Sequence, residues 1–122
     1  MEQPTFNTEF DGDIFILSPE GEIDASSSPE LLKVIEQEME NGYVKILVNG
    51  EKLVYLSSAG IGAFISKIED LREKKGSFAF CNLNDNIFDS FKALGFLSLL
   101  IVTKTLEEAK ASLNEGEFYS TL

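Results

Sequence analysis

The chain has no histidine and no tryptophan, a single cysteine, and three prolines in 122 residues. The missing histidine excludes most at one stroke: Ser-His-Asp and Cys-His mechanisms, every histidine-containing metal site and phosphohistidine chemistry. One cysteine, Cys81, cannot form an internal disulfide, and its place in Phe78-Ala79-Phe80-Cys81 suits a small buried hydrophobe. Basic residues are also scarce, ten against twenty-one acidic ones, for a formal charge of −11. A field of that sign repels phosphate backbones and anionic lipid, so neither nucleic acid nor a membrane surface is expected as a partner, whereas a basic protein surface is favoured. No apolar run approaches the roughly 20 residues of a membrane span. Met1-Glu2-Gln3-Pro4 has neither the basic start nor the apolar core of a signal peptide, which makes the cytoplasm the expected compartment.

With 43% hydrophobic residues, the chain is long enough to bury about two-thirds of its unfolded surface in one domain. Two apolar-rich runs, Thr5 to Phe10 and Ile14 to Leu17, flank Asp11-Gly12-Asp13 and predict a hairpin. Gly21-Glu22-Ile23-Asp24 should leave the sheet. Ser28-Pro29-Glu30 supplies a cap, an early proline and an acid for a first helix, whose buried stripe is Leu31, Leu32, Ile35 and Met39 and whose stop is Asn41-Gly42. A strand from Val44 to Val48 comes next. Beyond it, Ile61, Phe64, Ile65, Ile68 and Leu71 recur at helical spacing and predict one long central helix closed by Lys74-Lys75-Gly76.

Phe78 to Cys81 predicts a strand covered on both faces, and Asn82 to Asn86 offers caps for a short helix of Ile87, Phe88, Phe91 and Leu94 ended by Gly95. Leu97 to Val102 is the last expected strand. Thr105-Leu106-Glu107-Glu108 opens a terminal helix with Leu106, Ala109 and Leu113 inward, and residues 115–122, with Phe118 and Tyr119, read as a frayed tail beyond a domain of residues 1–114. Strands alternating with helices through short connections give an α/β fold: an N-terminal hairpin joined to a mainly parallel mixed sheet with about four helices.

The chemistry concentrates where the strand before Asn49-Gly50 gives way to the central helix. Ser57 and Ser58 sit at that helix start, where a serine hydroxyl can accept from a free backbone amide and contribute about 1 kcal/mol as a cap. The same amides and the positive end of the helix dipole also tolerate a phosphorylated hydroxyl, so local physics leaves cap and charge switch both open. Neither GxSxG nor GxxxxGK[ST] is present, and Ser58 has no histidine to act as its base, which argues against a serine hydrolase and a P-loop enzyme.

Three segments, in their order and spacing, carry a resemblance over nearly the whole chain: Gly21-Glu22-Ile23-Asp24, Ser57-Ser58-Ala59-Gly60-Ile61-Gly62, and Phe91-Lys92-Ala93-Leu94-Gly95-Phe96. Together they resemble the STAS family of bacterial anti-sigma factor antagonists. That resemblance implies a non-enzymatic binding module without cofactor or metal. A kinase that is itself the anti-sigma factor phosphorylates the serine two places before the glycine, here Ser58. The unmodified form binds that ATP-binding serine kinase and frees a sigma factor, and a protein phosphatase resets the cycle. Local physics does not choose between Ser57 and Ser58; the family spacing to Gly60 selects Ser58.

Where the family commonly has Asp before the acceptor, this chain has Ser57, which can cap but carries no charge. Asp24 matches a family position near the partner surface or is an ordinary helix-approach Asp. Asn49 is a partner contact or ties down a strand end. Gly60 and Gly62, with Ala59 just before them, let a partner's backbone or nucleotide approach, or Gly62 relieves packing against the sheet. The alternative is a STAS scaffold subunit of a larger signalling assembly with no sigma-factor role. The expected oligomeric state is a monomer or weak dimer.

Overall fold

The computed structural model describes residues 3–116. Strands β1 (Thr5–Asp11) and β2 (Ile14–Ile23) form the expected hairpin. Asp11 pairs with Ile14, and Gly12 between them has a φ of +60°, the first central position of a II′ turn whose twist suits a hairpin. Four helical regions follow, one of them broken in two: α1 (Ser28–Glu40), α2 (Ser58–Ile65) with α3 (Ile68–Glu73), α4 (Asp85–Ala93) and α5 (Leu106–Asn114). Between them lie β3 (Lys45–Asn49), β4 (Leu53–Leu56), β5 (Ser77–Cys81) and β6 (Ile101–Thr103). The sheet order is β1-β2-β3-β5-β6, antiparallel only at the hairpin, with β4 added beside the far half of β2.

Each face of the sheet has its own core. Phe15, Leu17, Ile46, Val48, Phe78 and Phe80 join the buried sides of α1 to α4, and Phe64 makes edge contacts to Phe78 and Phe80 at ring-centre distances of 5.9 and 5.1 Å. On the other face Ile14, Ile16, Leu47, Ala79, Cys81 and Ile101 are covered by Ala109 and Leu113 of α5. All five residues of β5 are buried, which explains its unbroken apolar run.

Several boundaries differ from the sequence reading. Gly21 to Ile23 does not leave the sheet: β2 shifts register at Gly21/Glu22 and continues beside β4, a strand that the sequence reading missed. The first helix begins one residue earlier than expected, with Ser27 and not Ser28 at the N-cap and Ser28 inside the helix. The central helix breaks at Ser66-Lys67, where Lys67 N–H donates to Phe64 O and Ser66 Oγ donates to Ala63 O at 2.7 Å, tightening the turn. Ile65 is only half-buried, while Phe64 is fully enclosed.

At the end of α3, Lys75 and not Gly76 takes the left-handed conformation, at φ +59°. Gly76 is needed for a different reason, since a Cβ there would run into Val44 O and Cβ. The last strand starts at Ile101, after a turn in which Leu99 N–H donates to Phe96 O. Leu94, expected inward, is 53% exposed because the helix has ended; Gly95 at φ +79° and the Phe96 N–H to Phe91 O bond close a Schellman motif there. The expectation of a frayed tail falls mostly on residues 117–122, outside the described residues.

Candidate functional site

The parallel pairing of β2 with β4 brings the Gly21–Asp24 and Ser57–Gly62 segments together. Ile23 is opposite Leu56, and Ser57 N–H donates to Ile23 O at 2.9 Å, so the loop into α1 and the start of α2 leave the sheet side by side. Ser57 is the N-cap of α2: its backbone is extended (φ −72°, ψ 168°), and its Oγ accepts from Gly60 N–H at 3.1 Å. Ser58 is the first residue of the helix. It is exposed, and among the described residues its hydroxyl has no hydrogen-bond partner. One serine is therefore committed to structure and its neighbour is available.

The charge around α2 sets it apart. In a chain with twenty-one acids, α1 has Glu30 in its first turn, α3 has Glu69 and Asp70, α4 has Asp85, and α5 has Glu107 and Glu108. The first turn of α2, Ser58-Ala59-Gly60, has none. Among the helices of the described residues, its dipole end is thus the one that no side-chain carboxylate of its own first turn compensates.

Asp24 lies at the adjoining loop, and its Oδ1 is engaged locally. It accepts from Ser26 Oγ at 2.7 Å, Ser26 N–H at 2.9 Å and Ser27 N–H at 3.2 Å, while Ser28 Oγ donates to the Asp24 carbonyl at 2.7 Å. The Ser26 hydroxyl bond, and then the backbone amides, hold the Asp24 carboxyl below the usual carboxylate range against an opposing effect of burial. Its first task is to shape the approach to α1. Asn49 also works within the fold, its Oδ1 accepting from Asn82 Nδ2 at 3.0 Å and from Glu51 N–H at 3.2 Å, which ties the ends of β3 and β5 together.

The two glycines differ. A Cβ on Gly60 would meet Leu56 Cδ1 at 2.5 Å and Ile23 Cγ2 at 3.0 Å, so Gly60 faces the core and does not offer a close approach from outside. A Cβ on Gly62 would meet nothing within 4 Å, so Gly62 relieves no packing against the sheet and, with exposed Ala59, belongs to the outer surface.

Sequence reasoning missed the neighbouring β4 surface. Val54 is 66% exposed and Tyr55 49%, and Asn84, the N-cap of α4, also donates to Leu53 O and Val54 O at 3.3 and 3.1 Å, holding this strand in place. The available signal was the four-residue run Leu53-Val54-Tyr55-Leu56 after Gly50, too short to separate from a loop without its partner. Exposed apolar groups beside Ser58 suit a protein contact.

Among the described residues no hydrogen bond from a base activates Ser58, and a concavity of about 850 Å3 lies elsewhere, at the carboxyl ends of β5 and β6 among Asn82, Leu83, Phe88, Val102 and Thr103. Cys81 is fully buried, and burial together with nearby Glu107 and Glu51 pushes its thiol up to about 12, leaving it inert. Among the described residues no helix is long and apolar enough to cross a membrane.

A family model described as STAS domain matches residues 5–109. The chain belongs to the STAS domain family. Among relatives of this STAS domain, the anti-sigma-B factor antagonist of Listeria monocytogenes is 28% identical over 95 residues, 78% of this chain and 80% of that protein. An anti-sigma factor antagonist from Mycobacterium paratuberculosis has the same fold at a TM-score of 0.80 with 18% identity, covering 92% of this chain and 95% of that one. SpoIIAA of Bacillus in its phosphorylated form superposes at a TM-score of 0.70 with 21% identity, covering 88% and 97%.

Proposed function

We propose that this STAS domain is an anti-sigma factor antagonist switched by phosphorylation of Ser58. Unmodified, it binds an ATP-binding anti-sigma serine kinase in the cytoplasm and releases a sigma factor. Phosphorylated, it lets go, and a protein phosphatase restores it. The domain itself catalyses nothing. The observation that carries this reading is Ser58 itself: exposed, its hydroxyl without a hydrogen-bond partner among the described residues, and first residue of the helix whose first turn lacks an acid. Relatives named as anti-sigma factor antagonists support the choice of partner.

The contact surface in this reading is Ser58, Ala59, Gly62 and the Asp24 loop, with Val54 and Tyr55 beside them. Ser57, Gly60 and Asn49 act from behind, as cap, spacer and strand tie. A phosphate adds about 1.5 to 2 negative charges at a close interface, on a chain already at −11. For the modification to act as a switch, it must weaken binding about a hundredfold, close to 3 kcal/mol.

Titration of the cognate kinase, nucleotide present, tests the order of affinities. Ser58→Ala should bind like the wild type and resist inactivation, Ser58→Asp should lose about 1 to 2 kcal/mol through its single charge, and the phosphorylated protein should bind weakest. Equal affinity for all forms would leave Ser58 as an ordinary helix residue and remove the switch.

A further inference from the structure

The two edges of the sheet are built differently. At one end β6 is three residues long and wholly buried. At the other, β1 pairs with β2 over seven residues without a register break, six of the seven are exposed, and among the described residues its outer edge pairs with nothing. Open edges of this length are usually blunted by charged side chains, lysine above all, by proline or by a bulge; Thr5-Phe6-Asn7-Thr8-Glu9-Phe10-Asp11 has no lysine, proline or bulge, and of its two charges, Glu9 and Asp11, the second is paired with Lys110 at 2.9 Å. Its side chains alternate, Phe6, Thr8 and Phe10 on one face and Thr5, Asn7, Glu9 and Asp11 on the other. Phe10 rests on Tyr43 and Phe15 at ring-centre distances of 4.9 and 5.5 Å and is still 50% exposed.

We propose that β1 pairs, antiparallel and edge to edge, with β1 of a second copy of this chain about a twofold axis through Thr8. An axis normal to the sheet keeps every side chain on its own face, so only residues of equal parity can meet. With the axis at Thr8, Phe6 faces Phe10 of the other copy twice, Thr8 faces Thr8, Asn7 faces Glu9 and Thr5 faces Asp11. No acid opposes an acid. An axis at Glu9 would set that carboxylate against itself. An axis at Asn7 would put Phe10 opposite Pro4, outside the strand and without an N–H to give. The Thr8 register pairs the whole strand and joins aromatic to aromatic.

The charge of −11 on each copy opposes association, and salt screens that repulsion without weakening the aromatic pairs. The dimer is therefore expected to tighten as salt is raised, the reverse of an interface held by ion pairs.

Sedimentation equilibrium of the full chain, beside Asn7→Lys and Thr8→Lys, tests both the surface and the register. Each variant adds one positive charge per copy at an exposed position, so an effect of net charge alone would tighten both. In the Thr8 register Asn7→Lys creates two symmetric Lys–Glu pairs and should tighten the dimer roughly two- to thirtyfold, whereas Thr8→Lys sets two ammonium groups face to face and should weaken it. Unchanged melting temperatures would confirm that both variants fold. A wild-type chain that stays monomeric at high salt and high concentration overturns the proposal, as does Thr8→Lys associating as tightly as Asn7→Lys, or Asn7→Lys associating more weakly than wild type.

Discussion

The starts of α2 and α5 use the same device for different ends. Both follow a strand, both have an extended N-cap residue with a hydroxyl, and that hydroxyl accepts from the amide three residues on, Ser57 from Gly60 at 3.1 Å and Thr105 from Glu108 at 3.2 Å. In α5 the third position is Glu108, whose carboxylate accepts from Thr105 Oγ1 at 3.0 Å, and Glu107 adds a second charge. In α2 that third position is Gly60, pressed against Leu56 and Ile23, and the first turn carries no charge at all. A cap alone does not make a switch. What separates the two is that α5 compensates its dipole with its own carboxylates, whereas the first turn of α2 has none, which is the condition the proposed switch needs.

Exchanging the third residues should break this contrast with the largest effect. Gly60→Glu forces a Cβ and a carboxylate between Leu56 and Ile23, and loss of cooperative unfolding, or destabilisation of about 3 to 5 kcal/mol, is expected in denaturant titration. Glu108→Gly, at an exposed position, should cost only about 1 kcal/mol. Truncating the caps comes next. Ser57→Ala and Thr105→Ala should each lower stability by about 1 kcal/mol, since both lose the same bond to the third amide. A much larger loss at Ser57 would mean that its hydroxyl does more than cap.

Smaller still is the effect of charge on the fold. Ser58→Asp should stabilise the domain by about 0.3 to 1 kcal/mol at low salt, an increase in melting temperature that shrinks as salt is added, and phosphorylation should leave the near-ultraviolet dichroism intact. The faintest effect belongs to Asp24. Its folded carboxyl is held below the ordinary value of 3.8 chiefly by Ser26, so its contribution is present above that value and disappears as pH falls through the lowered one. In Asp24→Asn, acid unfolding monitored below about pH 4 should lose that component.

The features written into the sequence locally are the ones that could be read from it. Asp11-Gly12-Asp13 specified the hairpin, Leu31, Ile35 and Met39 the buried side of α1, Thr105 to Glu108 the start of α5, and Ser57-Ser58 a helix start. Features created by distant partners could not be read in the same way. Gly21 to Ile23 becomes strand only because Leu53 to Leu56 lies beside it, and neither segment is persuasive alone. Ile65 and Leu94 continue the helical spacing, but a tight turn at Ser66-Lys67 and a helix end before Gly95 leave them half-buried and exposed. At the site, the sequence placed the two serines at a helix start. The division of labour between them, and the inward turn of Gly60, depend on packing against Ile23 and Leu56.

The account rests on Ser58 being the acceptor, and phosphopeptide mapping after incubation with the cognate anti-sigma kinase and ATP tests this most directly. One phosphate on Ser58, absent from Ser58→Ala, is the predicted result. Phosphate on Ser57 or on Thr105, the two hydroxyls already bound to helix amides, would contradict it.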